Sequence, residues 1–440
     1  MGDGASAWTS GWRRNASVAG AAIGVAAAGA AAGVALERAL VGRGVRHKAR
    51  LALDAAGPFG TLRGTPGTAV ADDGTELHYE IDEIGEAGPD GTGQGPGQAP
   101  GRNLGRDLGQ DLGAEPVPAS VPAVPRPATP PSEERSPVAA AEGPRPDAPL
   151  TVVFSHGYCL AQDSWHFQRA ALRGAVRTVF WDQRSHGRSE RGRAQRDPGT
   201  PVTIDQLGHD LKAVIEAAAP EGPVVLVGHS MGGMTMMALA AHHPELIRDR
   251  VVGAAFVGTS AGRLADVSFG LPVAGVKAAR RVLPGLLRVL GSQVDLVERG
   301  RRVTADLFAG LVKRYSFGSK EVDPGVARFA ERLIEATPID VVAEFYPAFV
   351  QHEKSAALSA FDGLPVLVLA GEEDLITPSE HSTAIAEALP GAELVIVPEA
   401  GHLVMLEYPE LVGDHLAHLL ARAEAYAAAR HDGAPYHRPV

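Results

Sequence analysis

Cysteine is nearly absent: the 440 residues hold one, Cys159. A single thiol excludes an intrachain disulfide and a cysteine-based metal centre, and it reads as a small buried filler. An excess of positive charge is absent too. The formal net charge is −11, which sets aside a general nucleic-acid binder, whose phosphate-facing surface would be basic. No Gly-rich phosphate loop and no cluster with metal-ligand spacing occurs, so no cofactor and no metal is expected. Glycine and proline, by contrast, are plentiful. Apolar residues at 45% suffice for a large core, but 52 Gly and 33 Pro are too many for one compact domain. They must concentrate in less folded stretches.

One such stretch is 85–149, rich in Gly, Pro, Ala and Gln, with a period of four across 103–113. Its composition cannot bury enough apolar surface to offset chain entropy, so it reads as a disordered surface insertion. Before it, 68–82 alternates around Asp72-Asp73-Gly74, the mark of a β-hairpin. Earlier still, 16–36 is a run of 21 residues without a charge, eleven Ala and four Gly among them. As a helix it would span roughly 30 Å of hydrocarbon. It suits a membrane helix better than a cleaved signal, whose apolar stretch would be shorter and followed by a polar region. A soluble or disordered arm is the third reading. The heavier positive flank follows the run, at Arg38, Arg43, Arg46, Lys48 and Arg50. That favours a cytoplasmic position for what comes after.

From Leu150 onward apolar runs alternate with helical stretches. The runs are 151–154, 178–182, 224–228, 251–258, 366–371 and 394–397. They are short, β-branched and continuous, as strands covered on both faces should be. Helical patterns at 204–219, 231–243 and 379–389 separate most of them. The expected architecture is α/β, with a mostly parallel, doubly wound sheet. About a hundred residues between Gly258 and Val366 show helical periodicity instead, best at 273–290, 294–314 and 326–336. An excursion of that length reads as a helical cap over the carboxyl edge of the sheet, where ligands bind in open α/β folds.

Ser230 stands where one apolar run ends: Val227-Gly228-His229-Ser230-Met231-Gly232-Gly233. Helix-compatible residues follow at once. Strand, sharp turn and helix put a hydroxyl at an apex, clear of its backbone, as attack on a carbonyl requires. Gly228 and Gly232 lack side chains that would clash across so tight a turn.

Four more motifs follow strands in order. They are His156-Gly157-Tyr158, Asp182-Gln183-Arg184-Ser185-His186-Gly187-Arg188-Ser189, Gly371-Glu372-Glu373-Asp374-Leu375-Ile376-Thr377-Pro378, and Gly401-His402 with Glu407-Tyr408-Pro409 beyond it. With the Ser230 turn, they make the chain resemble the α/β-hydrolase fold family over 68–82 and 150–425. The resemblance implies a catalytic triad of Ser230, Asp374 and His402, in the chain order this fold requires. It implies an oxyanion hole from the backbone N–H groups of Tyr158 and Met231, where charge develops on the attacked carbonyl. Spacing from the strand favours Asp374 over Glu372 and Glu373. Ser185 departs from the family pattern, which has glycine there. His156 reads as a brace for its loop. Trp165 and the Met231, Met234, Met236 and Met237 cluster read as packing, and His381, His415 and His418 as surface residues.

The chain then divides into an N-terminal arm (1–60), a β-hairpin of the hydrolase core (61–84), the insertion (85–149), the first part of the core (150–260), a helical cap (261–362), the second part of the core (363–428) and a tail (429–440). The expected activity is hydrolysis of a carboxylic ester or thioester through an acyl-enzyme on Ser230. A cap rich in Leu, Val, Ala and Phe favours an apolar or lipid-like small-molecule substrate. A cofactor-free haloperoxidase or perhydrolase would keep the same triad, and a binding protein on this fold would be expected to have lost part of it. Ser230 argues against epoxide hydrolases and haloalkane dehalogenases, which use Asp at the turn. The expected location is the membrane, single-pass, with the catalytic part cytoplasmic.

Overall fold

The computed structural model describes residues 59–85, 148–196, 200–264, 267 and 305–431. The apolar run 16–36, nearly all of the 85–149 insertion and the helix expected at 273–290 lie outside the described residues. Among the described residues no helix is long and apolar enough to cross a membrane.

Eight strands of the described residues form one sheet: β1 (Thr65–Val70), β2 (Glu76–Asp82), β3 (Thr151–Ser155), β4 (Arg177–Trp181), β5 (Val224–His229), β6 (Val251–Val257), β7 (Val366–Gly371) and β8 (Glu393–Val397). Their order is β1-β2-β4-β3-β5-β6-β7-β8. β1 and β2 pair antiparallel, as do β2 and β4, and every other pairing is parallel. The continuous apolar runs have the expected cause. Residues one apart on a strand point to opposite faces, and here both faces are covered. With α1 as His166–Leu172, Val153, Leu226, Phe256 and Val368 join one core cluster, with Leu211 and Ile215 of α2 (Ile204–Ala218) and Met236 and Leu239 of α3 (Met231–His242). Val152, Phe154, Val225, Val227, Leu367 and Leu369 join the other, with Leu416 and Leu419 of the C-terminal helix Pro409–His431. Trp165 and Phe154 pack edge to face there, ring centres 5.2 Å apart.

Strand and helix limits from the sequence fall within about one residue of the structure wherever both faces are buried. The hairpin is the exception. β1 begins at Thr65, three residues ahead of the expected 68. Pro66 and Gly67 hid it, because neither belongs to a strand pattern. Pro66 is tolerated because β1 is an edge strand. Gly67 leaves room for the Tyr79 ring, which a Cβ there would meet at 2.3 Å and displace. β8 is the opposite edge, and its Leu394 is 40% exposed, so it is not covered on both faces as the sequence suggested.

Between β6 and β7 the described helices are α5 (Ala305–Ser316), α6 (Pro324–Ala336) and α7 (Ile339–Gln351), numbering α4 as Pro244–Arg250. The Asp323 carboxylate caps α6 by accepting the N–H groups of Gly325 and Val326 at 2.8 and 3.0 Å. α7 is not among the helices expected from the sequence. Pro338 before it and Pro347 inside it both look like breakers. Ser355–Phe361 forms a short 3-10 helix whose Leu358 and Phe361 join the α3 side of the core.

Candidate active site

β3 and β5 lie side by side, with Ser155 in register with Gly228. From β3 the chain crosses to β4 on one side, and from β5 it proceeds to β6 on the other. The carboxyl ends of β3 and β5 therefore form the point where the winding reverses, the crevice in which this class of sheet binds ligands. Ser230 and the His156-Gly157-Tyr158 loop both emerge there.

Ser230 has φ 51° and ψ −117°, a region a side-chain-bearing residue rarely occupies. Besides the bonds that Gly233 and Met234 N–H donate to its carbonyl, two bonds with β6 and the loop after it hold the residue. Its N–H donates to the Val257 carbonyl at 2.9 Å, and its own carbonyl accepts the Thr259 hydroxyl at 2.6 Å. A Cβ on Gly228 would lie 2.6 Å from the Gly232 backbone, and one on Gly232 would lie 2.1 Å from the Ser155 carbonyl. Both glycines are thus dictated by backbone approach. A Cβ on Gly157 would meet Ser230 Cβ at 3.2 Å, so the β3 loop rests directly on the serine turn. Among the described residues the N–H groups of Tyr158 and Met231 make no hydrogen bond. Met231 opens α3, where backbone donors and the helix dipole favour negative charge.

The other two residues read for the site arrive from β7 and β8. Asp374 is buried, while Glu372 and Glu373 are exposed, as their two-residue and one-residue shorter distance from the strand end dictates. His402 Nδ1–H donates to Asp374 Oδ2 at 2.8 Å. Asp374 Oδ1 accepts the N–H groups of Ile376 and Thr377 at 2.8 and 2.9 Å. Burial alone would raise this carboxyl, but the His402 imidazole beside it and these hydrogen bonds outweigh burial and hold it below its ordinary value. The Thr377 hydroxyl stands 2.8 Å from the Gly258 carbonyl and 2.9 Å from Asp374 Oδ2, so its one proton serves either acceptor. Thr377 was not singled out from the sequence. Its place three residues after an aspartate, where an Asx turn closes, is the signal that could have found it.

His402 is seated against the serine turn by its backbone. His229 Nε2–H donates to the His402 carbonyl at 2.9 Å, and the two rings lie 4.7 Å apart. No hydrogen bond joins Ser230 to His402 among the described residues, a contact that often tightens only when substrate arrives. Three other imidazoles surround the centre. Burial pushes His156 down to about 4, and His186 and His229 down to about 3. None of the three bonds to a carboxylate, so His402 alone of the four has a partner that would stabilise its cation.

The surrounding loops serve placement. His156 Nδ1–H donates to the Gly157 carbonyl at 2.7 Å, and Nε2 accepts the Gln183 N–H at 2.9 Å. His156 therefore braces its loop, as its position suggested. Arg184 grips Asp210 with two bonds of 2.6 Å. Ser185 takes the left-handed conformation at φ 65°, which explains why a glycine is usual there. Its hydroxyl accepts the Gly192 N–H at 3.1 Å. Of the histidines expected at the surface, only His418 is exposed. His381 and His415 are half-buried, bonded to Ser260 and Glu393.

An apolar wall stands over the site. α7 contributes Val341, Phe345 and Ala348 to a cluster with Met231, Met234 and Ile204. Tyr158 packs against Phe349 with ring centres 4.9 Å apart and donates its hydroxyl to the Val342 carbonyl at 2.5 Å. Met231 and Met234 thus fill the contact between α7 and α3, whereas Met236 and Met237 fill the core below.

Residues 151–409 match the family described as alpha/beta hydrolase fold. The sn-1-specific diacylglycerol lipase ABHD11 of Mus musculus is 28% identical over 284 residues, covering 62% of this chain and 82% of that protein. The 3-oxoadipate enol-lactonase 2 of Acinetobacter baylyi is 27% identical over 267 residues, covering 59% and 84%. A solved thermophilic esterase from Thermogutta terrifontis aligns with a TM-score of 0.53 at 20% identity, over 81% of this chain and 98% of that one. At that identity the likeness speaks for the fold.

Proposed function

The chain belongs to the α/β-hydrolase fold family, and on that footing we propose that it is a serine hydrolase acting on a carboxylic ester or thioester with an apolar acyl group. Ser230 Oγ attacks the acyl carbonyl while His402 Nε2 takes the hydroxyl proton. Asp374 holds the imidazole by Nδ1–H and stabilises the cation that forms. The N–H groups of Tyr158 and Met231 receive the oxyanion, each such donor being worth about 3 kcal/mol in the transition state. His402 returns the proton to the departing alcohol or thiol. Water then repeats the sequence on the acyl-enzyme and frees Ser230.

The observation that carries this reading is the buried 2.8 Å Asp374–His402 bond on a loop fastened to the serine turn. The apolar wall of Phe345, Phe349 and Tyr158 supports the acyl preference. The run 16–36 would hold such an enzyme at a membrane, where apolar substrates gather. The test is a chain-length series of p-nitrophenyl esters on the full chain and on Ser230→Ala. Turnover should fall by about 10⁴-fold or more in the variant, and a fluorophosphonate probe should label the parent alone. Undiminished turnover in Ser230→Ala would refute the reading.

A further inference from the structure

Glu407 was noticed in the sequence only as part of the segment after Gly401-His402, and the proposed chemistry gives it no role. Its carboxylate nevertheless gathers N–H groups from the loop just before it and from a segment 88 residues away. Oε2 accepts the Gly401 N–H at 2.7 Å. Oε1 accepts those of Ser319 at 2.6 Å and Gly318 at 3.1 Å. Gly401 adjoins His402, and Gly318 and Ser319 follow the end of α5 in the region between β6 and β7.

The two segments touch backbone to backbone. A Cβ on Gly318 would lie 2.4 Å from the Glu399 carbonyl, and one on Gly401 would lie 2.5 Å from the Gly318 nitrogen. Only glycine on both sides lets them approach so closely. A further bond crosses the same seam, from the Leu403 N–H to the Ser316 carbonyl at 2.8 Å. The peptide groups around His402 are therefore held at three points. Glu407 holds Gly401 N–H, His229 holds the His402 carbonyl, and Ser316 holds Leu403 N–H. Two of these three restraints involve the 316–319 segment, one directly and one through the shared carboxylate.

We propose that Glu407 is a positioning residue: it locks the His402 loop to the 316–319 segment, so that seating of this part of the cap and placement of the base are a single event. A carboxylate suits the task because its two oxygens offer about four acceptor sites and no donor. Glutamine would turn one of its N–H groups toward a backbone N–H. The proposal rests on the reading of His402 as the base.

The test pairs kinetics with amide exchange on the full chain, using Glu407→Gln and Glu407→Asp. In Glu407→Gln, kcat for a short-chain p-nitrophenyl ester should fall about 10- to 100-fold with KM within about twofold, as expected when a catalytic group is misplaced rather than binding lost. Exchange at Gly401, Gly318 and Ser319 should quicken about tenfold or more, and Leu403, whose N–H bonds the Ser316 carbonyl and not the Glu407 carboxylate, should quicken with them. Glu407→Asp should recover part of both effects. An unchanged Leu403 amide, or a kcat within about twofold of the parent, overturns the proposal. Should the variants fail to fold, exchange of the parent chain in low denaturant decides it. Gly401, Ser319 and Leu403 must then open with one common free energy, and separate openings overturn the lock. Persistence of activity in Ser230→Ala would sink the acyl-enzyme reading alone, because the exchange result does not depend on turnover.

Discussion

Ser230 occupies a backbone conformation that favours glycine, with φ 51°. The turn tolerates it because the Val257 carbonyl and the Thr259 hydroxyl fix both ends of the residue. Two replacements separate strain from chemistry. Ser230→Ala and Ser230→Gly should both be inactive, while Ser230→Gly should be the more stable of the two by about 1 kcal/mol, since glycine relieves the positive φ. Urea unfolding of the pair checks this, and equal midpoints would show that the turn is unstrained. In the proposed reaction the buried Asp374 bond would orient the imidazole as well as stabilise its cation. Asp374→Asn should cut kcat by about 10⁴-fold, since an amide can present a donor to Nδ1 and favour the wrong tautomer. Thr377→Val keeps the shape and removes one proton donor shared by Asp374 and Gly258. A smaller loss, about tenfold in kcat at unchanged KM, is expected in steady-state kinetics.

At the scale of elements, α7 shows how the roof is joined to the core. Pro347 removes the N–H that would have bonded the Ala343 carbonyl. Next to that gap, the Tyr158 hydroxyl donates to the Val342 carbonyl. Tyr158 thus combines a backbone donor beside Ser230 with a side chain that ties α7 down. Tyr158→Phe should cost about 1 kcal/mol by removing that hydrogen bond, which adds to the helical one the carbonyl already accepts. Catalysis on the shortest esters should be nearly unchanged, because the backbone N–H stays. Phe345 is fully buried between α7 and the core. Phe345→Ala should destabilise by about 3–5 kcal/mol through the cavity it leaves. It should also reduce kcat/KM for long acyl chains more than for short ones.

Across the whole molecule, three buried imidazoles couple stability to pH. His156, His186 and His229 have folded values of about 4, 3 and 3 against an ordinary 6.5. Between those limits the unfolded chain binds more protons than the native one, so stability rises with pH. The contribution is complete above about 6.5 and is lost as pH falls toward the folded values. Urea unfolding should therefore show a loss of several kcal/mol between pH 7 and pH 5, and a flat profile over that range would contradict the neutral burial of these rings. Asp374 acts in the same direction but lower. Its depressed value contributes stability that fades only as pH falls below the ordinary carboxylate range.

The central strands and their helices were legible because they are buried on both faces, and burial writes itself locally as β-branched runs and 3.6-residue periodicity. The order of Ser230, Asp374 and His402 was legible too, since each follows a strand at a recognisable motif. The start of the edge strand β1 and the helix α7 were not, because Pro66, Gly67 and Pro347 are allowed there by position rather than by local preference. Partnership was the other thing hidden from the sequence. Spacing from β7 already favoured Asp374 over its two neighbouring glutamates, but its bond to His402, 28 residues along the chain, belongs to the fold. His229 meets the His402 carbonyl across 173 residues, and Glu407 meets Gly318 across 89. Spacing alone carries no record of such meetings. The sequence determined the layers and the positions offered to the site. The tertiary structure decided which side chains are desolvated together, and desolvation sets the strength of each hydrogen bond and charge that the chemistry would use.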